Sequence, residues 1–146
     1  MNTTSTISSS TLDATTRKRS TRRVATIGAL AATLANVALW LGGRAADVDF
    51  RVSPLVGPPV MKVGVVSVVL TTLLAFAAGW AVLTLAARRS RRWVHVVMAA
   101  AAVTAVVSTA GPLSTALDTA TGVLLAAMHL ITGAAFLAAA ARVRAR

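Results

Sequence analysis

"VGVVSVVLTTLLAFAAGWAVLTLAA", Val63 to Ala87, runs for twenty-five positions without a charged residue. As an α-helix it would be about 37 Å long, at roughly 1.5 Å per residue, which exceeds the roughly 30 Å hydrocarbon core of a bilayer. A water-facing helix would need a polar stripe along one side, and none is present. The stretch reads as a membrane-spanning helix.

Three further runs of the same kind lie on either side of it. "VATIGALAATLANVALWLGG" covers Val24 to Gly43, a third run extends from Trp93 to about Ala110, and a fourth from about Ala120 to Ala141. Only 13% of the residues are charged and the mean hydropathy is +0.74, whereas a soluble domain carries about a quarter charged residues. The charges sit between the runs rather than within them. The sequence therefore predicts an all-α, integral membrane four-helix bundle over residues 24–141.

The connecting segments carry the remaining information. Residues 1–16, "MNTTSTISSSTLDATT", are rich in Ser and Thr and too poor in apolar residues to bury a core, so a disordered tail is expected there. "RKRSTRR" (17–23) follows as a basic anchor, and residues 142–146 form a short basic tail. Between the first two runs, Pro54, Gly57, Pro58 and Pro59 mark turns. Asp47 and Asp49 are flanked there by Arg44 and Arg51, a pattern of local ion pairing. "GPLSTALDT" (111–119) reads as a tight connection between the last two runs.

Basic residues also orient the chain. Twelve of the fifteen Lys and Arg lie in the N-terminal tail, the "RRSRR" connection at 88–92 and the C-terminus. The other two connections hold only Arg44, Arg51 and Lys62, together with Asp47, Asp49 and Asp118. By the positive-inside rule both termini are expected in the cytoplasm. This distribution reads the net charge of +11 as topology and contact with anionic headgroups, with no nucleic-acid partner.

Each run has a side of small or weakly polar residues, the kind that lets helices approach in lipid. Stepping 100° per residue groups Ala25, Ala29, Ala32, Thr33 and Asn36 on the first, and Gly64, Ser67, Thr71, Ala75 and Ala78 on the second. The third groups Ala100, Ala101, Thr104, Ser108 and Gly111. On the fourth, Gly122, Leu125, Ala126, His129, Thr132, Gly133 and Phe136 line up with Asp118. These sides are expected to pack, leaving the opposite ones to lipid.

Asn36 and His129 each lie twelve residues from the cytoplasmic end of their run, about 18 Å deep, with Thr104 near the same level. The three are candidates for a polar layer at mid-membrane. An ionisable residue at that depth is a functional candidate by default. His129 reads as a clip to Asn36 or Thr104, with a proton-relay or ligand role as the alternative. Asp118 is a candidate helix cap or, alternatively, an outer-mouth carboxylate. Eleven residues separate it from His129, about 16 Å of helix, so the two are no hydrogen-bonded pair. His95, beside Arg91, Arg92 and Trp93, reads as an interfacial anchor, and Trp40, Trp80 and Trp93 as belt residues, Trp80 being deep enough to pack between helices.

Enzyme chemistry finds no footing in these residues. The chain has no HExxH, GxSxG, P-loop or dinucleotide fingerprint, no Cys and no Glu, so neither catalysis nor a cofactor or metal site is expected.

"NVALWLGGRAADVDF" (36–50) and "GPLSTALDTATGVLLAAMHLITGAAF" (111–136) resemble an uncharacterised family of small bacterial four-helix membrane proteins, known only as a domain of unknown function. Gly111, Pro112, Leu113, Ser114, Asp118, Met128 and His129 carry most of the similarity. The resemblance spans about Val24 to Ala141 and implies the fold and a bacterial cytoplasmic-membrane location. It implies no activity.

Two functions fit these residues. One is a structural, regulatory or accessory membrane subunit, self-associating or joined to another membrane protein through its small-residue faces. The other is a minimal proton-linked transporter or pore, a homo-oligomer using His129. Topology is open to test in a chain without native Cys. Cysteine at Ser53 should react with a membrane-impermeant maleimide added outside, and cysteine at Ser90 should not; external labelling at Ser90 would reverse the orientation.

Overall fold

The computed structural model describes residues 6–53 and 59–144, with side chains at 20–53 and 59–143. Five helices follow in order: α1 (Thr6–Ala45), α2 (Val65–Arg89), α3 (Arg91–Val107), α4 (Ala110–Thr115) and α5 (Thr119–Arg144). Two short strands, β1 (Arg51–Val52) and β2 (Met61–Lys62), lie between α1 and α2. Four segments are long and apolar enough to cross a membrane: Ser20–Ala45, Val65–Arg89, Arg91–Thr115 and Thr119–Val143. Around the bundle α1 packs on α2 and α5, and α3 on α2 and α5.

Two boundaries differ from those read along the sequence. Helix α1 begins at Thr6, upstream of Val24, so residues 6–16 are helical rather than a disordered tail; residues 1–5 lie outside the described residues. No Pro or Gly occurs between Thr6 and Ile27. Once a membrane helix is nucleated, each added residue gains a hydrogen bond without a new nucleation cost. The second difference is at Gly111 and Pro112, which belong to α4 rather than to a loop. Pro112 sits in the first turn, where its missing N–H is not needed. The connection to α5 shrinks to Ala116–Asp118.

At one end of the bundle Ser90 alone separates α2 from α3. Its extended backbone (φ −170°) ends one helix, and its Oγ accepts from the Trp93 amide at 3.5 Å to start the next. Four arginines, Arg88, Arg89, Arg91 and Arg92, crowd this turn.

The opposite end is closed by a folded cap. Helix α1 stops in a Schellman arrangement, with Asp47 at φ 58°, the Val48 amide donating to the Gly43 carbonyl at 2.9 Å and the Asp47 amide to Arg44 at 3.2 Å. β1 then pairs antiparallel with β2, Arg51 opposite Lys62 and Val52 opposite Met61. Ala116 adds a bridge to Val52, supported by Ser53 N–H to the Thr115 carbonyl (2.8 Å) and Leu117 N–H to the Arg51 carbonyl (3.1 Å). The turn residues at 54–58 lie outside the described residues, so the turns read at Pro54, Gly57 and Pro58 are not described. Asp49 is paired with Arg44 at 3.4 Å and with Lys62 at 3.3 Å. The Lys62 ammonium, which bonds it and attracts its charge, holds the Asp49 carboxyl below the usual range.

Phe50 pins this cap to the bundle. It is completely buried and stacks on Trp40 with ring centroids 6.0 Å apart. Its ring sits over Gly43, where a Cβ would lie 2.5 Å from Phe50 Cζ and 2.7 Å from Leu124 Cδ1. Only glycine leaves that space. Phe50 also holds a left-handed backbone (φ 53°), a conformation costing of the order of 1–3 kcal/mol for a bulky residue. Burial of the ring offsets that strain, and the Trp40 indole fixes the far strand by donating to the Val63 carbonyl at 3.0 Å. A second cluster, Phe76, Leu83, Phe136, Ala139 and Ala140, fills the other half of the bundle. Trp80 packs against it, stacked on Phe76 and edge-on to Phe136.

Phe50→Ala should therefore lower unfolding stability by about 3–5 kcal/mol, as buried Phe truncations do. Thermal unfolding in detergent would read this. A change below about 1 kcal/mol would mean that Phe50 does not anchor the cap.

Candidate functional site

Asn36, 1% exposed, is the best-buried polar side chain in the interior of a spanning segment. Nine residues of helix separate it from the end of α1 at Ala45, about 14 Å. Its Nδ2 donates to Thr72 Oγ1 on α2 and to Thr132 Oγ1 on α5, both at 2.9 Å. Each threonine in turn donates its hydroxyl to a carbonyl one turn back, Thr72 to Val68 at 2.7 Å and Thr132 to Met128 at 2.8 Å. The amide orientation follows from this, because both hydroxyl protons are already used. Three helices are joined by one amide. Its other atom, Oδ1, is buried and has no partner among the described residues. Leaving a buried acceptor unpaired costs about 1–3 kcal/mol.

His129 and Thr104 do not complete this cluster. His129 Nδ1 is 2.8 Å from the Leu125 carbonyl of its own helix, and neither Asn36 nor Thr104 is hydrogen-bonded to it. The expected clip is thus made by Thr72 and Thr132, while His129 is exposed one position further round α5. A carbonyl can only accept, so Nδ1 carries the proton; in the neutral ring, Nε2 then offers a lone pair. Thr104 is likewise exposed rather than bonded across helices. His95 repeats the local pattern, with Nδ1 2.8 Å from the Arg91 carbonyl.

His129 and Thr104 instead border a cavity of about 890 Å³ enclosed by α2, α3, α4 and α5, with Asn36 on its wall. The small-residue sides of α2 and α3 form its flanks: Ser67, Thr71 and Ala75 on one, Ala100, Thr104 and Ser108 on the other. The sequence expects these sides to pack; Ala101 does so against the Phe76 cluster, while Ser67, Thr71, Ala75, Ala100 and Thr104 stay exposed. On α2 the packed side is the neighbouring stripe Val68, Thr72, Phe76 and Leu83, and none of the residues of α3 is buried. Larger side chains fill the contact, and the small ones leave room beside it. Helix α3 is held to α5 where Ala105 meets Gly133, whose missing side chain leaves the space Ala105 occupies. Val52, Val63 and Thr115 form the roof of the cavity, and Phe76 and Phe136 lie at its base.

Asp118 is away from this cavity, at the start of α5. Its Oδ1 accepts from the Thr121 amide and its Oδ2 from the Thr121 hydroxyl, both at 2.7 Å, with Thr121 fully buried. This is N-cap geometry with a second bond from the same residue. The two Thr121 bonds, amide first, hold its carboxyl below the usual carboxylate range. No group of three or more metal-ligating side chains occurs among the described residues.

Fold and site together define a multi-pass membrane protein of four spanning segments, with a largely apolar cavity that carries a few polar groups. The chain belongs to a family of unknown function, DUF6069, whose model matches residues 16–146. Among curated proteins and among solved structures, nothing matches it.

A carboxyl whose folded-state pKa is lowered stabilises the fold above its unfolded pKa, near 3.8, and that contribution disappears as pH falls through the folded value. The melting temperature should hence drop between about pH 5 and pH 2. Asp118→Asn should lower it by several degrees at pH 7 and flatten the acid limb; an unchanged limb would remove Asp118 as its source.

Proposed function

We propose that this chain is a non-catalytic accessory protein of the bacterial cytoplasmic membrane, with both termini inside and its basic clusters against anionic headgroups. Its partner is another membrane protein or a second copy. The observation that carries this reading is the pair of apolar closures along the bundle axis. Phe50 and the β1–β2 cap lie at one end, and Phe76, Trp80 and Phe136 lie towards the other. A proton or solute path needs a succession of polar or ionisable groups across the full thickness. His129 is the only ionisable side chain among the residues lining the cavity. Asp118 is occupied as a cap and the Asn36 amide as a three-helix tie.

The competing reading is the minimal proton-linked transporter, assembled as a homo-oligomer around His129. Purified protein in liposomes loaded with a pH-sensitive dye separates the two. An accessory protein gives the proton leak of empty liposomes, with or without His129→Ala. A leak well above that baseline, abolished by His129→Ala in protein that still melts cooperatively, would overturn the accessory reading.

A further inference from the structure

The cavity between α2, α3 and α5 has a chemical bias that helix packing does not require. Both N–H bonds of Asn36 are directed into Thr72 and Thr132. The hydroxyls of Thr71, Thr72, Thr132 and Ser108 all donate to backbone carbonyls of their own helices. Their protons are unavailable, and what remains on the inner wall accepts. Asn36 Oδ1 is the extreme case, a buried amide oxygen with no partner. His129, with Nδ1 directed to Leu125, presents Nε2 as a second acceptor on the same cavity. Ser67 and Thr104 keep adaptable hydroxyls, and both are exposed together with Thr71, Ala75 and Ala100. These exposed positions lie on α2 and α3, so the mouth opens sideways between these helices, toward lipid.

We propose that this cavity is a binding site for a membrane-dissolved molecule with a long apolar body and a neutral hydroxyl head, an alcohol or phenol. Its single O–H donates to one acceptor, the exposed His129 Nε2 or the buried Asn36 Oδ1. Three properties select this class. The wall is otherwise apolar, with Phe76 and Phe136 at the base, and a volume of about 890 Å³ matches the usual size of small-molecule sites. The head must donate, because the inner polar atoms accept. A neutral head needs no charge partner, and no carboxylate, Lys or Arg lines the cavity to supply one. Outside the cavity such a hydroxyl pairs with lipid ester carbonyls or interfacial water, so its bond to Asn36 or His129 gains the net of one hydrogen bond exchanged for another. The roof at Val52 and Val63 leaves the membrane interior as the route of entry. This inference rests on the membrane reading but not on the accessory role.

The test uses the full chain in phosphatidylcholine liposomes and two photoreactive probes, 4-dodecylphenol with a diazirine in its alkyl chain and the methyl ether of the same molecule. The two differ only in the donor. The phenol should label α2, α3 or α5 at cavity positions, be competed by unlabelled 4-dodecylphenol, and exceed the ether about tenfold, the effect of one hydrogen bond. Ala75→Phe, which fills the cavity without removing a hydrogen bond, should abolish the labelling. His129→Phe, at an exposed position, should reduce the preference for phenol. Equal labelling by phenol and ether in the native protein would overturn the proposal, and this comparison needs no variant to fold. Phenol labelling that survives Ala75→Phe, or chain-to-chain crosslinks from a photoreactive residue at position 75, would also overturn it, the latter by showing a second copy in the cavity.

Discussion

Two hydrogen bonds from one amide, Asn36 to Thr72 and Thr132, set the arrangement of α1, α2 and α5. In water, apolar helix faces are driven together; in lipid that drive is absent, because the tails are as apolar as the faces. What distinguishes one helix register from another is packing detail and the satisfaction of polar groups. A primary amide carries two donors, and in hydrocarbon each needs an acceptor. Only a register that brings both threonines to Asn36 satisfies them. The aromatic cluster on one side and the Phe50 seat on the other then follow from where that register leaves Phe76, Phe136 and Gly43.

The same tie explains the cavity. With α1, α2 and α5 joined, α3 is held on one flank by its contact with Gly133 and on the other by the single-residue turn at Ser90. Most side chains along the gap are small, Ala100, Thr104 and Ser108 on one side and Ser67, Thr71 and Ala75 on the other. Small residues permit close approach of two helices but do not enforce it. When a third helix already fixes the spacing, the same residues leave a space. A reading of faces by residue size could therefore find the stripe Ser67, Thr71 and Ala75 but not whether a neighbour would occupy it. On α2 the contact moved one position round, to Val68, Thr72 and Phe76, because side-chain volume fills the interface at that spacing.

The β1–β2 cap depended on contacts of another kind. Ion pairing near Asp49 was readable from Arg44 five residues away, but Lys62, the leading influence on its charge, is thirteen residues further along. Phe50 looked like one apolar residue in a polar linker. Its burial needs a left-handed backbone, a glycine notch on α1 and the ring of Trp40, three features that no local pattern connects.

The sequence by itself determined how many segments cross the membrane and roughly where each lies, because the cost of placing charge and unpaired backbone in hydrocarbon is summed residue by residue along the chain. It also contained the bonds that close within a turn, such as Asp118 to Thr121, whose partners are three residues apart. Tertiary structure alone decided which threonines meet Asn36, that His129 turns to its own helix and borders a cavity, and that Phe50 and the β1–β2 pair close one end of the bundle. Each of these depends on which helices become neighbours and at what rotation. In lipid, that choice turns on a few directional contacts between residues 36 to 96 positions apart, and such contacts leave no periodic trace in the sequence.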